Sequence, residues 1–153
     1  MPLEHLHPMV VHFPLVLLLQ AALIDAVAAR RGDDLAGPGP LALAGRLSLY
    51  AGALAAIAAM TFGYVAQGIA IDKGFADSLI EQHEGLGVAS AVIFAVLALL
   101  RFGAARFSVP LTGRRGWLAL ALTGAGLLLL LTTAYHGGQL VYQHGVNVVP
   151  VKP

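Results

Sequence analysis

A chain of 153 residues with 58% hydrophobic and only 11% charged side chains cannot cover a water-facing surface, since soluble domains carry about 25% charge. Lipid must therefore be the solvent for much of it. A net charge of +1 supplies no concentrated basic patch and argues against nucleic acid as a partner. The lack of cysteine excludes disulfides, thiolate metal sites, iron–sulfur clusters, covalently attached c-type haem and cysteine nucleophiles.

The residues ahead of the first apolar run, Pro2 to His5, hold no positive cluster. No cleavable signal is expected, and the run is expected to stay in the bilayer. Crossing a hydrocarbon core takes about 20 apolar residues. Four stretches approach that length, at residues 9–29, 47–67 (from as early as 41), 85–102 and 117–136. The first is interrupted by His12, Pro14, Gln20 and Asp25. Residues 32–40 form a loop punctuated by Gly37-Pro38-Gly39-Pro40. Residues 72–84 form the most polar connection, 106–116 another loop, and 137–153 a tail.

Backbone in lipid must satisfy its own hydrogen bonds, and no barrel-like alternation is present, so each span is expected to be helical. The fold expected is an all-α, membrane-embedded, up-down four-helix bundle forming one domain. Small residues at four-residue spacing, Ala51-Ala55-Ala59-Gly63 and Ser48-Gly52-Ala56, are expected at helix contacts. No internal repeat is visible in the sequence.

Orientation follows from Lys and Arg near the span ends. Arg30, Arg31, Arg46, Arg101, Arg106, Arg114 and Arg115 gather at one end of the bundle, and only Lys73 and Lys152 at the other. This is expected to place both termini and the middle connection outside the cytoplasm. Asp25 is expected as an interfacial acid near Arg30.

All six histidines fall at the arginine-poor end: His5, His7 and His12 around the start of span one, His83 at the start of span three, His136 at the end of span four, and His144 beyond it. In an up-down bundle, spans one and three lie diagonally across the axis, so side chains from both can converge on one guest. Tyr64 and Gln67, with Thr61, lie at the same end of span two and can hydrogen-bond a ligand. Pro14 either occupies a first helical turn starting at His12 or kinks a helix starting at Pro8.

Imidazole suits haem iron, copper and zinc. Haem b requires two axial imidazoles on facing helices with an apolar slot between. His12 and His83 form the expected axial pair, with His7 and His144 as a second pair or a surrounding shell. Lys73, Tyr135 and Tyr142 would serve the propionates. A bare copper or zinc site would draw on the same histidines, with Glu81 or Glu84 behind them. No hydrolase or phosphate-loop pattern is present.

The motifs His7-Pro8-Met9-Val10-Val11-His12-Phe13-Pro14 and Gly137-Gly138-Gln139-Leu140-Val141-Tyr142-Gln143-His144-Gly145-Val146, with His83 ahead of span three, resemble the bacterial inner-membrane family called domain of unknown function 2231. The resemblance covers nearly the whole chain. It implies a four-helix membrane protein with His7, His12, His83 and His144 as motif histidines and His136 ranked below them. Its histidine pattern suggests a cytochrome b-like protein that binds haem near the outer face. Such a protein would be an electron-transfer or binding subunit more than a free-standing enzyme, passing electrons between a quinol and a periplasmic redox protein, alone or in an oligomer. The alternative is a copper- or zinc-binding or anchoring subunit of a membrane complex.

Overall fold

A computed structural model describes residues 2–148 of the chain. A 3-10 turn, Leu3–His5, leads into α1 (Leu6–Val10), α2 (His12–Arg31), α3 (Pro40–Asp72), α4 (Asp77–Arg106) and α5 (Gly113–Tyr142). Four segments are long and apolar enough to cross a membrane: Leu3–Arg31, Pro40–Asp72, Ile80–Arg106 and Gly113–Tyr142.

The ends of these helices follow from local chemistry. The first segment is interrupted at Val11 because Pro14 has no N–H to offer the Val10 carbonyl. Gly32, in the left-handed conformation (φ 78°), stops α2. Pro40 opens α3, where its missing N–H costs nothing. At the far end α5 runs straight through Gly137-Gly138 to Tyr142, and the left-handed Gly145 (φ 65°) then turns the chain back. The helices outrun the expected spans: the 33 residues of α3 extend roughly 50 Å, against a hydrocarbon core of about 30 Å.

The middle of the bundle is held by Leu18, Ala21, Leu49, Ala53, Phe94 and Leu127. Of the two small-residue rows on α3, Ser48-Gly52-Ala56 is buried throughout, whereas Ala51 on the other is exposed. Gly52 shows why that row is small, since a Cβ there would lie 2.6 Å from the Leu18 side chain. Leucines such as Leu54, Leu99 and Leu128 point outward, more than two-thirds exposed. Such outward leucines suit lipid and are costly in water.

The loops at one end are tightly organised. Leu35 is fully buried, and the Asp34 carboxylate accepts from the backbone N–H groups of Ala36 and Leu111. The Leu35 N–H reaches the Leu111 carbonyl at 3.3 Å, joining the α2–α3 loop to the α4–α5 loop.

An approximate internal repeat emerges from the contacts. Leu18 packs on Gly52 in the first helical pair, and Phe94 packs on Gly126 in the second. Phe94 follows Leu18 by 76 positions, as Arg101 follows Asp25 and His83 follows His7. Gly126 follows Gly52 by 74, as Gly137 follows Gly63 and Thr133 follows Ala59. Every buried residue of α5 (Gly116, Thr123, Gly126, Leu127, Thr133, Leu140) has a buried counterpart 74 positions earlier on α3. The protein is thus two helical hairpins, α1–α2–α3 and α4–α5, built to one contact plan. His7 meets His83 and Asp25 meets Arg101. Contact between equivalent positions is the signature of an approximate two-fold axis running between the halves.

Candidate functional site

At one end of this axis the imidazoles of His7 and His83 face each other, ring centres 5.8 Å apart and planes at 77°. Each is held by the hairpin partner of its own helix. His7 Nδ1 donates to the Ala59 carbonyl at 2.8 Å, and His83 Nδ1 to the Thr133 carbonyl at 3.0 Å. A carbonyl only accepts, so both protons sit on Nδ1 and both Nε2 atoms carry the lone pair in the neutral rings. This is the arrangement that metal-ligating histidines use, the second ring nitrogen being tied to a backbone carbonyl.

Glycine makes room for both rings. A Cβ on Gly63 would lie 3.2 Å from His7 Cε1, and one on Gly137 only 2.8 Å from His83 Cε1. Each glycine stands four residues after the carbonyl that binds the ring, so a small-x-x-x-Gly step recurs in both halves: Ala59 to Gly63, Thr133 to Gly137. Behind His83, the buried hydroxyls of Ser90 and Thr133 are 3.1 Å apart, and Thr133 also donates to the Leu129 carbonyl.

The other histidines divide. His12, expected opposite His83, is exposed on the first turn of α2, and His7 occupies the facing position instead. His136 and His144 line a cavity of about 160 Å³ beside His83, together with Ser78, Gln82, Gln139 and Leu140. His136 also stacks edge-on with Tyr135. Although α5 continues past Gly137, His144, two residues beyond its end, still lines this cavity. Gln67 donates to Glu84 at 2.8 Å, tying α3 to α4, while Tyr64 is 47% exposed. Lys73 pairs with Glu4 at 2.7 Å and Tyr142 is 90% exposed. Neither Lys73 nor Tyr142 faces the imidazole pair.

The sequence reading missed Asn147. Its Nδ2 donates to the Ala66 carbonyl at 3.0 Å, less than one turn beyond Gly63 on the same face of α3. Its Oδ1 is buried without a partner among the described residues. The neighbouring Val146 packs with Ala70, Ile80 and Leu140, folding the tail over the bundle mouth.

At the opposite end, Asp25 and Arg101 form a two-pronged pair on the axis, with Nη2–Oδ2 at 2.6 Å and Nη1–Oδ1 at 3.3 Å. Both side chains are at least 97% buried, and Arg101 also reaches the Leu35 carbonyl. This corrects one expectation: Asp25 is no interfacial acid beside Arg30, and Arg101, counted above among the arginines of this end, is buried with it. Arg46 is likewise engaged, on the Ala36 carbonyl, and Lys152 lies outside the described residues.

No curated protein and no solved structure matches the chain. A family model described as "Predicted membrane protein (DUF2231)" matches residues 4–150. The four long apolar helices accord with that description, and the chain belongs to the DUF2231 family of membrane proteins.

Proposed function

We propose that the protein holds a copper(I) ion between His7 and His83, at the non-cytoplasmic face of a bacterial inner membrane. The observation that carries the reading is the matched pair of Nδ1 anchors on two adjacent rings, which leaves the Nε2 lone pair of each neutral imidazole outside the anchoring bond. Metal–imidazole bonds of about 2.0–2.1 Å, with each ring centre roughly 1.1 Å behind its nitrogen, put two rings on one ion roughly 5 Å apart when bent and 6.5 Å when linear. The observed 5.8 Å falls inside that range. Zinc takes three or four protein ligands. Among the described residues no group of three His, Cys, Asp or Glu side chains could hold a metal. Copper(I) is the common ion content with two neutral nitrogens. Copper(II) prefers four ligands in a tetragonal field, so two imidazoles stabilise the reduced ion and favour carrying it over cycling electrons with a quinol. The arginine distribution supports this facing: Arg30, Arg31, Arg106, Arg114 and Arg115 lie at the end opposite the imidazoles.

Haem b fits the packing poorly. The two rings meet edge to face with no slab between them, and the adjoining cavity of about 160 Å³ is polar-lined. Pockets for drug-sized ligands span roughly 300–1,000 Å³. A porphyrin would require α1 and α4 to part.

Copper(I) competition titration of the detergent-purified protein should give one equivalent per chain. His7→Gln or His83→Gln should abolish it, while His12→Gln leaves it intact. A Soret band from reduced, haem-replete protein would replace the copper reading with a porphyrin one, and neither metal nor haem would leave the pair as packing alone.

The supporting glycines supply a second test. Gly137→Ala places a methyl 2.8 Å from the His83 ring and should displace it from the Thr133 carbonyl. A loss of about 10- to 100-fold in copper(I) affinity is expected, the usual effect of disturbing a ligand's support. Gly63→Ala, at 3.2 Å, should cost less.

A further inference from the structure

The two halves differ most at the arginine end, and the difference has the form of a binding groove. In the first hairpin α2 and α3 touch there: a Cβ on Gly45 would lie 2.5 Å from Asp25 Oδ1 and 3.5 Å from Ile24 Cγ2. The equivalent positions in the second hairpin are Ala119, Arg101 and Leu100. There α4 and α5 stand apart around a cavity of about 210 Å³, whose walls include Leu97, Leu100, Leu111, Leu118 and Leu122. Leu100, Leu118 and Leu122 are 45–62% exposed, so the groove opens sideways toward lipid.

Two arginines line this apolar groove. Arg101 is neutralised by Asp25. Arg115 pairs with no carboxylate among the described residues and sits near the start of α5, at the arginine-rich end of the bundle. Its counterpart in the first hairpin, where the helices close, is Leu41. The charge is therefore present only in the half that has the groove. The acid on the facing loop, Asp34, is already committed to the N–H groups of Ala36 and Leu111.

We infer that this groove binds one acyl chain of an anionic phospholipid, with its phosphate on Arg115. An acyl chain matches the leucine walls and the sideways opening. A negative headgroup matches Arg115, the lining cation that no carboxylate among the described residues neutralises. The second hairpin thus carries a lipid site that the first lacks.

Native mass spectrometry of the full chain, released from micelles holding equal phosphatidylglycerol and phosphatidylcholine of identical acyl chains, tests this. The wild type should retain phosphatidylglycerol about five-fold over phosphatidylcholine, the effect of one basic residue near a headgroup. Arg115→Gln should remove the preference, Leu122→Trp should fill the groove and lower retention of both lipids, and Arg30→Gln should change neither. Equal retention of the two lipids by the wild type, an equal effect of Arg115→Gln and Arg30→Gln, or an inert Leu122→Trp would each overturn the proposal.

Discussion

Replacing Arg101 by methionine should destabilise the bundle by about 3–5 kcal/mol, because it strands the Asp25 carboxylate without a partner in a buried site. Asp25 is 1% exposed, and Arg101 is the residue the structure pairs with it. The size of the effect comes from the orphaned charge more than from the lost attraction. The double variant Asp25→Asn with Arg101→Met removes both charges and should recover most of the loss. Asn is the appropriate replacement, because Gly45 lies so close to the carboxylate that nothing larger fits. About 1 kcal/mol should remain, since the Leu35 carbonyl also loses its donor. Unfolding by sodium dodecyl sulfate in mixed micelles, followed by circular dichroism, measures all three variants. A single variant as stable as the wild type would mean that water or lipid headgroups reach Asp25.

Truncating Phe94 to alanine should have the next largest cost. The ring is fully buried against Gly126, whose Cβ would lie 3.0 Å from its Cζ. In a soluble protein such a change loses transfer free energy as well as packing. In lipid the separated helices still bury their apolar side chains in hydrocarbon, so mainly the cavity term survives. A void of roughly 100 Å³ at about 24 cal/mol per Å³ gives about 2.4 kcal/mol. Leu99→Ala, at a position 69% exposed, should change little in the same assay. Equal losses at both positions would show that bulk hydrophobicity governs stability here, and not the fit of ring against glycine.

The sequence announces the four crossings because hydrocarbon imposes a length and a composition, and both are written in the residues. The gathering of imidazoles at one end is legible for the same reason: distance along a helix is distance through the membrane. Rotation about each helix is much harder to read. In water a polar face opposes the core face, but here Phe13 and Val16 face outward and Leu18 inward with similar apolarity. Residue type therefore cannot tell His7 from His12 as the inward ring, and the structure chooses His7. The best available clue is the small-x-x-x-Gly step opposite each imidazole. The repeat is hidden similarly, because Leu18 and Phe94, or Asp25 and Arg101, play one geometric role with unlike side chains. The Asp25–Arg101 pair escapes notice because the two residues are 76 positions apart, Asp25 has a nearer cation in Arg30, and Arg101 reads as one more of the arginines at that end.

Both described ends of the chain are moored to the last turns of α3: Glu4 through Lys73, and Asn147 through the Ala66 carbonyl. The short connection between the hairpins, ending at Asp77, starts from the same turns. A chain re-threaded to start at Asp77, with a flexible tether from the old end to the old beginning and a new end at Lys73, would run through the same two hairpins in the opposite order. The order of the halves is thus free to change, whereas the clasp between them is what the bundle requires.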